Sequence, residues 1–136
     1  MPVKQANFPL QAYDQKWHGD VNVPTNTTVT GTTEIEAAGA MGSFEVAIVA
    51  GSTGCQLPTA AKKFTLTVKA SDKEGGTYAT VITRDIVPGQ TAIGAGELVG
   101  VCPIPSTAGP WIKVDLFSDE TAPVGKVSVV PYHLPR

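Results

Sequence analysis

Two histidines, two cysteines and a scatter of carboxylates are the residues of this chain whose types do chemistry elsewhere. His18 lies close to Asp14 and Asp20, a combination that binds divalent metals when three ligands converge. One imidazole and two acids in a polar stretch read more simply as a solvated loop. His133 sits in Pro131-Tyr132-His133-Leu134-Pro135, far from His18, and no nucleophile accompanies either ring. Cys55 and Cys102 form no CxxC pair and have no metal-ligand pattern beside them, so they read as reduced thiols; whether they pair with each other stays open. Glu45 and Asp115 fall on outward positions of predicted strands, but no aromatic platform flanks them, as a glycosidase cleft requires. Asp115 to Glu120 is acidic and lacks the alternating ligand spacing of a calcium loop. The chain carries no GxSxG, HExxH, P-loop or post-strand GxGxxG motif, and Gly94-Ala95-Gly96 leads into a strand. Asn26-Thr27-Thr28 fits the glycosylation pattern, which means little without an export signal. The expectation is a protein with no catalytic residues, no metal and no cofactor.

The elements that carry these residues are strands. Phe64-Thr65-Leu66-Thr67-Val68-Lys69-Ala70 alternates apolar and polar, which puts Phe64, Leu66, Val68 and Ala70 on a core face. Trp111-Ile112-Lys113-Val114-Asp115-Leu116 does the same with Ile112, Val114 and Leu116 inward. Phe44, Val46 and Ile48 share a face, and Val127-Ser128-Val129 begins a last strand. Weaker strands are expected at Val21 to Val23, Thr27 to Thr32, Tyr78 to Thr83 and Leu98 to Val101. Only Thr33 to Met41 and Pro58 to Lys63 have modest helical character, and both are short. Turn formers separate the strands: Ser71-Asp72-Lys73-Glu74-Gly75-Gly76, Pro88-Gly89, Ser106 to Pro110 and Ser118 to Pro123. Parallel strands would need crossover helices, for which there is no room. The fold expected is therefore all-β, an antiparallel β-sandwich or jelly roll of about eight strands, with an extended N-terminal arm. The arm covers 1–20, the sandwich 21–131, and a tail 132–136.

Composition narrows the partners. The 136 residues fit one domain with its own core. Charged residues make up 16%, below the ~25% of an average domain, which suits either a surface partly covered by neighbours or a Thr-rich β-sandwich in free solution. The net charge is −2 and no basic stripe occurs, so nucleic acid is not an expected partner. No apolar run is long enough to cross a bilayer as a helix, and the opening Met1-Pro2-Val3-Lys4-Gln5 has no signal-peptide character. The reading is a protein made in a cytoplasm with no membrane role.

Several features occur in a telling order. A polar arm with aromatics precedes a Thr-rich strand region and Phe44-Glu45-Val46-Ala47-Ile48-Val49. Phe64 to Asp72 then ends in a Gly-rich loop; Gly96-Glu97-Leu98-Val99 leads to Pro103-Ile104-Pro105; and Trp111 to Leu116 precedes Gly125-Lys126-Val127-Ser128-Val129-Val130. Over roughly residues 21 to 131 this pattern resembles the jelly-roll capsid cement, or decoration, proteins of tailed bacteriophages, of the Bordetella-phage type. The arm and the tail have no counterpart in that pattern. The resemblance implies a virion protein on the outside of an icosahedral head, binding as a homotrimer and clamping adjacent subunits of the major capsid protein. The expected contact residues are Phe8, Tyr13 and Trp17 in the arm, Lys73 and Glu74 in the loop, and Trp111. Other readings of the same residues are another head or tail protein, or a carbohydrate- or ligand-binding sandwich. The last should show several exposed aromatics on one strand face.

Overall fold

The structure, a computed structural model, describes residues 16–36, 44–57, 62–88, 91–104 and 110–133. Ten strands run β1 (His18–Asn22), β2 (Thr27–Val29), β3 (Ile35–Glu36), β4 (Phe44–Gln56), β5 (Phe64–Ser71), β6 (Ala79–Ile86), β7 (Ala92–Ile93), β8 (Leu98–Pro103), β9 (Trp111–Ser118) and β10 (Val124–His133). There is no helix among the described residues.

The strands form two antiparallel sheets. One is ordered β1-β10-β4, with β4 joined on its far side by both β7 and β8; the other is β2-β9-β5-β6, with β3 also on β9. The short strands β2 and β3 together make one edge, as do β7 and β8, so eight effective strands remain. Their pairing is that of one long hairpin folded over: β1 lies on β10, β2 and β3 on β9, β4 on β8 and β5 on β6. Wrapping such a hairpin brings β10 beside β4 and β9 beside β5, which is a jelly roll.

The core follows from the alternation. Phe64, Leu66 and Val68 of β5 are fully buried, and so are Ile112, Val114 and Leu116 of β9. The register sets Leu66 opposite Leu116 and Val68 opposite Val114. The facing sheet contributes Val46, Ile48 and Ala50 of β4 with Val127 and Val129 of β10. Each of the Val, Leu, Ile and Phe side chains among them contributes roughly 1.5–3 kcal/mol by leaving water.

Three segments are defined further by the structure. Within Thr33 to Met41, Ile35 and Glu36 form a strand on β9, because buried Ile35 joins the core opposite Ile112; 37–41 lie outside the described residues. In Pro58 to Lys63 the described Lys62 and Lys63 are not helical. β4 runs seven residues past Val49. Gly54 (φ 71) and Gly125 (φ 95) make this possible: a Cβ on Gly125 would sit 2.2 Å from the Gly54 carbonyl oxygen, and the β4–β10 register shifts beside it.

The sandwich also starts before residue 21. Trp17 is 3% exposed and belongs to the core, and β1 opens at His18. Among the described residues, β9 has no ladder partner over 113–115 on the side of β2 and β3. The Trp17 indole Nε1 donates to the Ile112 carbonyl (3.0 Å), and His18 Nε2 lies 2.8 Å from the Val114 carbonyl. A carbonyl only accepts, so Nε2 carries the proton. Two side chains from one sheet thus take the place of missing ladder donors in the other, and they close that seam of the sandwich.

Candidate protein-binding surface

The β5–β6 turn is built from its own backbone. Ser71 Oγ donates to the Lys73 carbonyl (3.0 Å), and Gly76 N–H donates to the same oxygen (3.0 Å). Gly75 supplies the left-handed φ of 72 that this reversal needs. The turn is then tied down from outside. Glu34, in the stretch before β3, accepts from the Gly75 N–H (2.7 Å) and from the Tyr78 hydroxyl. Lys113 Nζ of β9 stands 4.5 Å over the Tyr78 ring. The Tyr78 and Gly75 hydrogen bonds hold the Glu34 carboxyl below the usual carboxylate range, with Lys113 adding a smaller effect. Burial, then the bond to Glu34, pushes the Tyr78 hydroxyl up. It therefore stays protonated as the donor.

Cross-strand register adds Trp111. It lies opposite Ser71 of β5 on one side and Glu36 of β3 on the other, half-buried at the start of β9. Lys73 and Glu74 are exposed two and three residues past Ser71. The structure therefore brings three of the expected contact residues, Lys73, Glu74 and Trp111, to one end of the β2-β9-β5-β6 sheet. Phe8 and Tyr13 lie outside the described residues. Trp17 is withdrawn as a contact residue: its ring is core and its N–H is bonded inside.

Other expected sites resolve into structural roles. Asp115 lies on the outward face of β9 as expected, but it is covered there and not open to solvent. It is buried, its Oδ1 accepts from the Gly31 N–H (2.8 Å), and its Oδ2 pairs with Lys69 (2.8 Å). Gly31 is required there, because a Cβ would lie 2.0 Å from the Val114 carbonyl oxygen. His18 is buried in the seam and not in a solvated loop. Asp20 accepts from Ser52 N–H (2.9 Å) and Oγ (2.8 Å), and these bonds lower its carboxyl below the usual range. Asp14 lies outside the described residues, and no metal-holding group of three His, Cys, Asp or Glu occurs among those described. Cys55 and Cys102 are free and buried. Cys102 lies opposite Val46 and Cys55 opposite Ile93. Val46 and Cys55 pair with Pro131 and Gly125 of β10, six residues apart or roughly 20 Å, far beyond disulfide reach.

A shallow groove of about 510 Å³ runs on the other sheet, lined by Lys16, Asp20, Gly51, Ser52, Gly96 and Ser128 among others. Its polar groups bond one another: Asp20 N–H donates to Ser128 Oγ (2.8 Å), and the Asp20 carboxylate holds Ser52. The bracing residues Glu34, Tyr78 and Lys113 were not readable as a group, since 41 residues separate Glu34 from Gly75 and only the register of β9 brings Lys113 in. No protein-family profile matches this chain, and neither does any characterised protein.

Proposed function

We propose that this protein is a non-enzymatic adhesion block of a virion. It binds the outside of a bacteriophage head across seams between major capsid subunits, in the trimeric state that the resemblance implies. The observation that carries the reading is the braced end of the β2-β9-β5-β6 sheet. Lys73 and Glu74 lie on a turn whose backbone is tied to Glu34 at Gly75, with Tyr78 and Lys113 packed behind it, and half-buried Trp111 opens β9 beside that turn, opposite Ser71. A turn whose backbone is already fixed loses less entropy on binding, and an aromatic anchor with flanking charges is a usual hot-spot composition. Many copies, each contributing a few kcal/mol, resist internal pressure through multivalency. The test is to heat capsids of the encoding virus, stripped of this protein, with and without it added back. Capsids with the protein should hold their genome to a higher temperature, and Trp111→Ala should remove most of the gain. An identical release temperature in both samples would refute the reading.

A carbohydrate-binding reading has one observation in its favour. Phe117 shares the outward face of β9 with Trp111, pairs with Thr65 and Thr28, and is half-buried. The two rings are six residues apart, or roughly 20 Å, a spacing that suits an extended chain of sugars rather than a single ring. Quenching of Trp111 fluorescence by soluble oligosaccharides would favour it over the head-binding reading.

A further inference from the structure

The outer faces of the two sheets differ in kind. On the β2-β9-β5-β6 sheet the outward residues are mainly polar: Thr65, Thr67 and Lys69 of β5, with Lys113 and Asp115 of β9. On the other sheet they are mainly apolar. Val127 and Val129 of β10 point into the core, as do Val46, Ile48 and Ala50 of β4. Alternation then leaves Ser128, Val130, Ala47 and Val49 on the outside. The register sets Val130 beside Ala47, and Ala47 beside Val101 of β8, an apolar row across three strands. Val46-Ala47-Ile48-Val49-Ala50 is an unbroken apolar run, the mark of a strand buried on both faces.

That outer row is closed to water. Ala47 is 0% exposed and Val130 1%, yet neither belongs to the core cluster. No described strand lies over them, since the second sheet packs on the inner face. A single copy buries them, so the cover is part of this chain. Of the six stretches outside the described residues, 1–15 is the longest and the only one with aromatic side chains, Phe8 and Tyr13, with Leu10 between them. It joins the described residues at Lys16, which lines the groove on this same face with Val49, Ser128 and Val130. Fifteen extended residues reach ~50 Å, and the path from β1 across β10 and β4 to β8 is three strand spacings, or ~15 Å.

We infer that the outer face of the β1-β10-β4 sheet is the docking site of the chain's own residues 1–15, with Phe8, Leu10 and Tyr13 supplying the apolar cover of Val130, Ala47 and Val101. The arm then acts as a strap on its own sandwich and not as a reach toward the capsid. Phe8 and Tyr13 are engaged within the molecule, which leaves the braced end to carry adhesion. A partner's segment would find Ala47 and Val130 already closed off.

The test places photoreactive benzoylphenylalanine at position 8, and in a second sample at position 13, of the full chain. An aromatic group replaces an aromatic one, so the arm keeps its character. Equal parts of isotope-labelled and unlabelled protein are irradiated together at about 1 μM, dilute enough to disfavour weak association. Trypsin then releases the arm as 5–16 and most of β10 as 127–136. The expected product joins 5–16 to 127–136, or to 44–49 of β4, with both halves carrying the same isotope. The same group at exposed Lys73, on the other sheet, should give no such product. Absence of these crosslinks, arm crosslinks confined to other segments, or an equal yield from position 73 would overturn the inference. Pairs of mixed isotope in half of the product would overturn it too, by showing that a second copy supplies the cover. The experiment needs the protein alone, so its failure leaves the head-binding reading standing for its own test.

Discussion

At the scale of single residues, the protein holds its polar side chains in structural bonds. Asp20, Glu34 and Asp85 all sit below the usual carboxylate range: Asp20 mainly through Ser52, Glu34 mainly through Tyr78, and Asp85 mainly through Thr65 and then Lys63. A depressed folded-state pKa means that the unfolded chain binds protons first as the pH falls. The stability these groups contribute is therefore complete above their ordinary values near pH 4 and is lost as the pH drops through the folded values. Urea unfolding between about pH 7 and pH 2 should show a loss below about pH 4.5, and Glu34→Gln should make that loss smaller. An equal loss in the variant would show that Glu34 is not one of the groups responsible. Trp17 is tested separately. Trp17→Phe keeps most of the packing and drops the bond to Ile112, costing about 1–2 kcal/mol. Trp17→Ala should cost about 3–5 kcal/mol, both read by chemical denaturation. A consequence is that an arm deletion must stop before Lys16. Removing 1–20 takes away Trp17, His18 and the Asp20–Ser52 bonds, so it would disturb the fold along with any attachment.

At the scale of elements, the strands with strict alternation were the legible ones. β5 and β9 pack as their periodicity dictates, since a period of two with Phe, Leu, Val and Ile on one side leaves one way to bury them. Less was readable where a strand is interrupted. β3 and β7 are two residues each, too short for any pattern, and exist because β9 and β4 offer edges to them. The second half of β4 contains Gly51-Ser52-Thr53-Gly54, which have no register partner on β10: Ala50 pairs with Val127 and Cys55 with Gly125, so the strand bulges between them. Asp115 was placed on the correct face, but its burial depended on Gly31, 84 residues away, passing close over β9. Of the candidate surface, Lys73, Glu74 and Trp111 were legible because a Gly-rich turn and a strand-opening aromatic are local signals. The bracing from Glu34, Tyr78 and Lys113 is set by tertiary register. The role of Gly31 makes a sharp prediction: Gly31→Ala should destabilise by about 1–3 kcal/mol or more, seen as a lower urea midpoint with the slope unchanged. A neutral substitution would mean that β9 and the 30–34 segment are less tightly apposed than described.

At the scale of the whole molecule, the ten strands of the described residues make a two-layered block with a seam closed by Trp17 and His18 and one braced end. Both thiols lie inside it, and burial raises their pKa, which keeps them as unreactive thiols at neutral pH. Alkylation of the native protein should therefore be slow at both Cys55 and Cys102 and fast in urea; a rapid native reaction at either would indicate an opening of the block. Under the proposed head-binding role, rigidity of this kind would serve adhesion, because a stiff body transmits load between the surfaces it joins. The direct test is a binding titration of fluorescent protein onto stripped heads of the encoding virus, with Trp111→Ala and the Lys73→Ala/Glu74→Ala pair alongside. Saturable binding is expected, weakened about 30-fold by Trp111→Ala if that side chain contributes the ~2 kcal/mol of a hot spot. Heads that fail to bind the wild-type protein, or that bind the Trp111 variant equally well, would contradict the assignment of the braced end as the surface that adheres.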